Sequence, residues 1–225
     1  MNKDLYQKAQ GQSFFDRASV KARKKMYDKL AATVPLDGLE SVLDVGVTAD
    51  RKNDASNFFE KLFPYPEKVT ALSNQDASWM EDMYSGLQFV QADALDMPFE
   101  NDTYDLVFSG AVIEHVGNKE NQRKFIAECV RVAKRYVFIT TPNRYYPIEL
   151  HTVFPLIHWL PRDMHRSLLR KMGEDFFADE NNLNLLSKKD LSQMVKSIGC
   201  QKFSIDYIRF FGMRSNLLLT IEKEQ

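Results

Sequence analysis

The chain has 225 residues, 44% apolar and 27% charged, with a net charge of −1 and a sequence pI near 6.4. Such values suit one sizeable core with an elaboration, and they exclude the strong basic field of a nucleic-acid binder and the composition of a disordered chain. No run approaches the ~20 apolar residues of a membrane span, the N-terminus lacks the apolar core of a signal peptide, and Cys129 and Cys200 lie far apart as buried free thiols, so a reducing cytoplasm is the expected compartment.

Residues 1–37 form an N-terminal helical segment. Within it, 19–33 carry Val20, Met26, Tyr27, Leu30 and Ala31 on one face, opposite Lys21, Arg23, Lys24 and Lys25. That cluster reads as a solvated basic face, with phosphate or lipid contact as the alternative. From residue 41, short apolar runs at 41–45, 68–72, 87–90, 105–109 and 136–140 alternate with helical patterns. A helix is expected to begin near Ala55, and Phe125, Ile126, Cys129, Val130 and Ala133 follow the spacing of a buried helix stripe. Strands alternating with helices require right-handed crossovers, hence a doubly wound α/β sheet with helices on both faces.

Residues 143–186 break this alternation. They hold His151, His158, His165, Trp159 and three prolines, and they read as an insertion over the carboxyl edge of the sheet. Tyr145, Tyr146, Ile148, Leu150, Phe154, Leu156, Ile157, Trp159 and Leu160 make the insertion bulky and apolar. Arg162, Arg166 and Arg170 then recur at four-residue spacing as a basic stripe. The segment is a lid with a solvated basic face, an interfacial element that meets anionic lipid, or a dimer contact. Past it, Ser187 and Asp190 resemble a capping box opening a helix with Leu191, Met194, Val195 and Ile198 inward. Gly199 ends that helix, and β-like runs follow at 202–209 and 216–222.

Each strand's carboxyl end supplies a polar residue: Asp44, then Ser73 and Asn74, then Asp93, then Ser109 leading to Glu114 and His115, then Thr141 and Asn143. Any one of these suits a turn or cap equally well. Together they ring one rim, where open α/β sheets bind nucleotide-like ligands.

Four segments, Val-Leu-Asp-Val-Gly (42–46), Phe-Val-Gln-Ala-Asp-Ala (89–94), Tyr-Asp-Leu-Val-Phe-Ser (104–109) and Val-Ile-Glu-His-Val (112–116), resemble in order and spacing the motifs of class I S-adenosylmethionine-dependent methyltransferases of the type 11 kind. The likeness runs from about Gly38 to Asn143, and the tail resembles that family's last helix and closing antiparallel strands. It implies a Rossmann-like sheet of seven mostly parallel strands, with the cofactor-binding domain in 38–142 and 187–225 and the insertion at 143–186. It further implies S-adenosylmethionine as cofactor. Asp44 and Gly46 would lie beside its methionine part, Asp93 and Ala94 by the adenine, and Ser109 and Gly110 near the transferred methyl.

Two departures stand out. Thr48 and Asp50 occupy places where the family has glycines; Asp50 would pair with the cofactor's ammonium or cap the following helix. At the end of strand two, Ser73 and Asn74 replace an acid that grips the ribose, at a cost of about 1.5–3 kcal/mol. His115, beside Glu114, is the leading candidate base, with a histidine that merely caps or packs as the alternative reading and His151, His158 and His165 of the insertion as the other candidate bases. Glu114-His115 with Thr141-Pro142-Asn143 is most similar to ubiquinone-pathway O-methyltransferases and small-RNA terminal 2′-O-methyltransferases. Parts of those groups hold a divalent ion through Glu-x-x-Glu-His and a further histidine; here Ala111 stands at the first glutamate, so Glu114, His115 and His151 could hold an ion only weakly and no metal is assigned.

Asn143, Arg144, Tyr146, His151 and His158 are the expected substrate contacts. The expected reaction is in-line O-methylation of a small-molecule or lipid- or glycan-linked substrate, without nucleic acid and with membrane contact available through 143–172. The alternative is a fold-retaining binding or regulatory partner without catalysis. Oligomeric state has no signal.

Overall fold

A run of four residues dry on both faces, Val42–Val45, forms β1 at the middle of the sheet. The computed structural model describes residues 12–223 except 52, 54, 150 and 153, with the main chain alone for 12–18. Around β1 stand β2 (Val69–Ser73), β3 (Gln88–Gln91), β4 (Tyr104–Gly110), β5 (Ala133–Pro142), β6 (Phe203–Phe210) and β7 (Met213–Glu222), in the order β3-β2-β1-β4-β5-β7-β6. β7 runs antiparallel to β5 and β6, and the remaining pairings are parallel, giving the expected seven mostly parallel strands.

The period of two along β1 divides the core. Leu43 and Val45 face α4 (Lys119–Val132) and α7 (Lys188–Ser197), where Phe125, Ile126, Cys129, Leu191 and Val195 are fully buried. Val42 faces α1 (Gln12–Thr33), α2 (Phe58–Leu62) and α3 (Trp79–Met83), against Leu30, Phe59, Met80 and Phe108. Phe59 stacks on Phe108 at 4.6 Å between ring centroids, fixing α2 to the sheet. Both cysteines are free.

Several boundaries differ from expectation for identifiable reasons. α4 ends at Val132, and Ala133 already pairs with Tyr104, because β5 uses its small residue to leave the helix directly. α2 starts at Phe58, not Ala55, since Asn57 at φ +48° turns the chain into it. On α1 the inward positions are Met26, Leu30 and, just past the helix, Val34, with Ala22 and Tyr27 packed beside them. Val20 and Ala31 point outward. Arg23 therefore leaves the basic face and turns inward, its guanidinium 5.2 Å over the Phe58 ring.

Beyond β5, Asn143 pairs with Leu186, and Arg144 N donates to Leu186 O, so residues 144–186 leave and rejoin the sheet at one point. They contain α5 (Arg162–Lys171) and α6 (Asp175–Ala178). Two of the three stripe arginines are engaged: Arg162 with Asn184 and Asp190, Arg166 with Glu180, while Arg170 is exposed. No helix among the described residues is long and apolar enough to cross a membrane.

The capping box opening α7 is complete: Ser187 Oγ accepts from Asp190 N, and Asp190 accepts from Ser187 N. Ser187→Ala is expected to cost about 1 kcal/mol in a urea unfolding titration, with the slope against urea unchanged.

Candidate active site

Strand order reverses between β1 and β4. The connection after β1 reaches α2 on one face of the sheet and the connection after β4 reaches α4 on the other, so a crevice lies at their carboxyl ends. Every rim residue expected from the sequence lies in the carboxyl half of one of these strands or a neighbour, or on the connection that follows it.

Asp44 shares the face of Val42, which carries its carboxyl beneath α2, where it meets Glu60; the two residues are 5% and 4% exposed. Burial, then the charge and hydrogen bond of Glu60, push Asp44 well above the ordinary carboxylate range. Burial also raises Glu60, against the Asp44 hydrogen bond. Two acids in contact in so dry a place disfavour ionisation of both. Gly46 sits at φ +94°, and a Cβ there would lie 2.2 Å from Val112 Cγ2, so no side chain fits.

Where glycines were expected, a side chain shapes the loop. Asn57 Oδ1 accepts from Thr48 N and its Nδ2 donates to Thr48 O, both at 2.9 Å. Asp50 is exposed and does not cap α2, whose preceding residue is Asn57. Arg51 lies 4.8 Å over the Trp79 ring, beside the end of β2. There Ser73 Oγ accepts from Gln75 N, and Asn74 is exposed.

Asp93 is exposed, with Oδ1 accepting from Leu95 N; Ala94 packs against the α4–α7 core. Ser109 is wholly buried and donates to Val45 O at 2.9 Å, so its hydroxyl ties β4 to β1. Gly110 leaves room for Phe58, 3.1 Å from where a Cβ would stand.

Past Gly110 the chain takes a left-handed turn at Ala111 (φ +61°) into a short turn, Ile113–His115. Glu114 is fully buried. Its Oε2 accepts from Thr141 Oγ1 at 2.9 Å, and its Oε1 has no hydrogen-bond partner among the described residues. Arg23 lies close enough for Glu114 to favour its charge, while burial lowers its pKa first. His115 Nδ1 stands 2.7 Å from Asn182 O, so that nitrogen carries the proton and Nε2 faces outward, 4.0 Å from Glu114 Oε1.

The insertion brings His151 to this turn, its ring 5.0 Å from that of His115 and nearly perpendicular. Glu149 holds it: Oε1 is 2.6 Å from His151 Nδ1, and Oε2 accepts from Thr152 N and Oγ1. Burial alone would raise Glu149, but His151's hydrogen bond and charge bring it down to about 2. Burial alone would lower His151, but Glu149 and then Glu114 raise it above its ordinary value. Glu149, Asn57, Glu60 and Arg23 carried no sequence signal as site residues.

Glu114, His115 and His151 offer three ligand atoms all within 4.8 Å of one another, a set of two imidazoles and one carboxylate that could hold a metal ion. The sequence had assigned none.

The other expected substrate contacts divide. Asn143 Nδ2 donates to Arg214 O, and Arg144 donates to Leu160 O. Tyr146 and His158 are buried and joined through His158 Nε2 and Tyr146 O at 2.6 Å; they brace the insertion from within, near Glu149. Burial lowers both His158 and His165, the latter to about 4.

Strand order and crevice define the fold as that of the class I methyltransferases. Residues 59–139 match the methyltransferase domain family. A 68-residue stretch is 43% identical to ajmaline N-methyltransferase of Rauvolfia serpentina, covering 30% of this chain and 22% of that protein; the chain thus spans about a fifth of that curated relative. Similar solved structures include a "possible histamine N-methyltransferase" of Thermotoga maritima (TM-score 0.60, 12% identity, 98% of this chain and 97% of that one). They also include the N-methyltransferase NodS of Bradyrhizobium japonicum in complex with S-adenosylhomocysteine (TM-score 0.56, 12% identity, 90% and 87%). The chain thus has the class I methyltransferase fold and carries, over 59–139, a match to the methyltransferase domain family.

The Glu149–His151 pair has a defined pH window. Glu149's contribution is complete above its unfolded pKa near 4.5 and fades as pH falls through about 2. His151's is complete below its unfolded value near 6.5 and fades as pH rises through its raised native value. Glu149→Gln should therefore cost on the order of 2–3 kcal/mol between those two values and lower the His151 pKa in an NMR ring-proton titration. An unchanged His151 pKa would contradict the pairing.

Proposed function

We propose that this protein transfers the sulfonium methyl of S-adenosylmethionine in line to a hydroxyl of a small-molecule or lipid- or glycan-linked substrate held under residues 143–186. One observation carries the reading: at the carboxyl end of β4, a carboxylate-held imidazole faces a second imidazole and a buried carboxylate. The cofactor supplies the reactive methyl. The protein's task is alignment and removal of the acceptor's proton.

His151 is the better base of the two. His115 is fixed by a neutral carbonyl, whereas His151 donates through Nδ1 to Glu149, which makes its Nε2 more basic and fixes its tautomer. His115 and Glu114 complete the wall opposite the methyl, and Arg23 carries positive charge to the same place from α1. Asp44, Gly46, Asp50, Ser73, Asn74, Asp93, Ala94, Ser109 and Gly110 form the cofactor side. Exposed Tyr145, Trp159 and Met164 give the insertion apolar surface suited to a lipid-linked or aromatic acceptor.

A second reading, methylation of an amine nitrogen, is favoured by the N-methyltransferase activities named for the plant and bacterial relatives. An amine acceptor needs a weaker base, so the two readings differ at His151.

Calorimetry should detect S-adenosylmethionine and S-adenosylhomocysteine, and Asp44→Ala should abolish both signals. Absence of binding at millimolar cofactor by folded protein would sink the enzyme reading. With a hydroxyl acceptor, His151→Ala should lower kcat by about 10²-fold or more and leave cofactor affinity intact. A loss below about threefold would favour the amine.

A further inference from the structure

Glu60 is the most anomalous charged residue in the fold. It lies on α2 between Phe59, which stacks on Phe108, and Lys61, yet it is almost completely buried. Neither of its side-chain oxygens accepts a hydrogen bond from a donor group among the described residues. Its contact is another acid, Asp44, at the carboxyl end of β1. Two carboxyl groups in contact in a dry site cannot both ionise, so one must keep a proton as the bridge. Such a pair is expensive to bury.

The surroundings supply little compensation. From α2, Lys61 lends Glu60 a distant favourable charge; from the end of α3, the Tyr84 phenol feels Glu60 as a repulsion. The β2 and β4 residues in register with Asp44 are Ala71 and Phe108, both uncharged. From α1, Arg23 lies over Phe58, and the charge that acts on it is that of Glu114. Among the described residues no cation is paired with the two acids, and Asp44 stands two residues before Gly46, where the backbone turns into the crevice.

We propose that Glu60 is a positioning residue for the cationic amino-acid end of the cofactor: it shares one proton with Asp44 in the free protein, and the pair surrenders that proton when the cofactor's ammonium settles beside Asp44. The inference rests on the cofactor reading given above. On binding, the bridging proton leaves to solvent, the pair gains one negative charge, and the ammonium's positive charge matches it. No covalent bond changes. The pair thereby makes cofactor affinity depend on pH: acid conditions hold the bridge closed, and rising pH opens it. The same pairing keeps Asp44 neutral or half-charged when no cation is present, which spares the sheet a fully ionised acid beneath α2.

Calorimetric titration of the full chain with S-adenosylhomocysteine, in neutral buffers of different ionisation enthalpy, tests this directly. The observed heat should vary with buffer by an amount corresponding to release of close to one proton. Affinity should rise with pH by up to about tenfold per unit before levelling. Methylthioadenosine, which lacks the amino-acid end, should release no proton. Glu60→Gln, which can donate to Asp44 without titrating, should still bind but lose the proton release and flatten the pH profile; a merely structural residue would change affinity equally at every pH. Binding of S-adenosylhomocysteine with the same heat in all buffers overturns the inference and leaves the cofactor reading standing. Absence of binding overturns both. The wild-type buffer series decides the matter whatever the fold of the variant.

Discussion

The structure depends on one constraint, the reversal of strand order between β1 and β4 within a sheet whose centre is dry on both faces. Because β1 connects onward to α2 and β4 to α4, the two connections part to opposite faces, and backbone must end there with polar groups aimed at a crevice. Asp44, Ser109 and Glu114 are the buried polar residues at that parting. Each would be costly in an apolar sheet, and each is handled differently. Ser109 is satisfied by a carbonyl of β1, Glu114 by a threonine of β5 on one oxygen only, and Asp44 by a second acid. The progression from satisfied to unsatisfied marks where the fold ends and the site begins.

The excursion from Asn143 to Leu186 buries Leu169, Ala178 and Leu183 and is anchored to the rest of the domain by polar contacts. Asn184 is the hub: its N donates to Glu114 O, its Nδ2 reaches Gly117 O, and its carbonyl accepts from the buried Gln122 amide. Arg162 joins the same residue from α5. The turn holding Glu114 and His115 and helix α5 are thus tied to one asparagine.

Much of this was legible from residue patterns. The runs that became the central strands are short and continuously apolar, and the rim residues followed because parallel strands in a doubly wound sheet all end on one edge. The capping box of Ser187 and Asp190 is a local signal and formed locally. Other features depend on tertiary approach. Glu60, in Phe-Phe-Glu-Lys-Leu, reads as a solvent-facing charge on a short helix, and only the seating of α2 on β1 makes it a buried acid. Arg23 sat in a lysine-rich run that reads as a wet face, but the stripe of α1 is rotated toward Met26 and Leu30. Glu149 lies in an aperiodic segment, where no spacing rule identifies the partner of His151. Asn57 replaces glycine by tolerating a left-handed conformation and by bonding Thr48 with its own amide, a solution that a glycine pattern does not anticipate.

The central claim is that one crevice, at the carboxyl ends of β1, β2, β3 and β4, receives S-adenosylmethionine. Amide hydrogen exchange with and without S-adenosylhomocysteine measures this most directly, since it reports on every segment of the folded chain at once. The account predicts added protection in peptides spanning 44–50, 73–76, 93–95 and 109–112, and no change at the opposite edge of the sheet around 101–104. Protection confined to that opposite edge, or spread evenly over the chain, would contradict it.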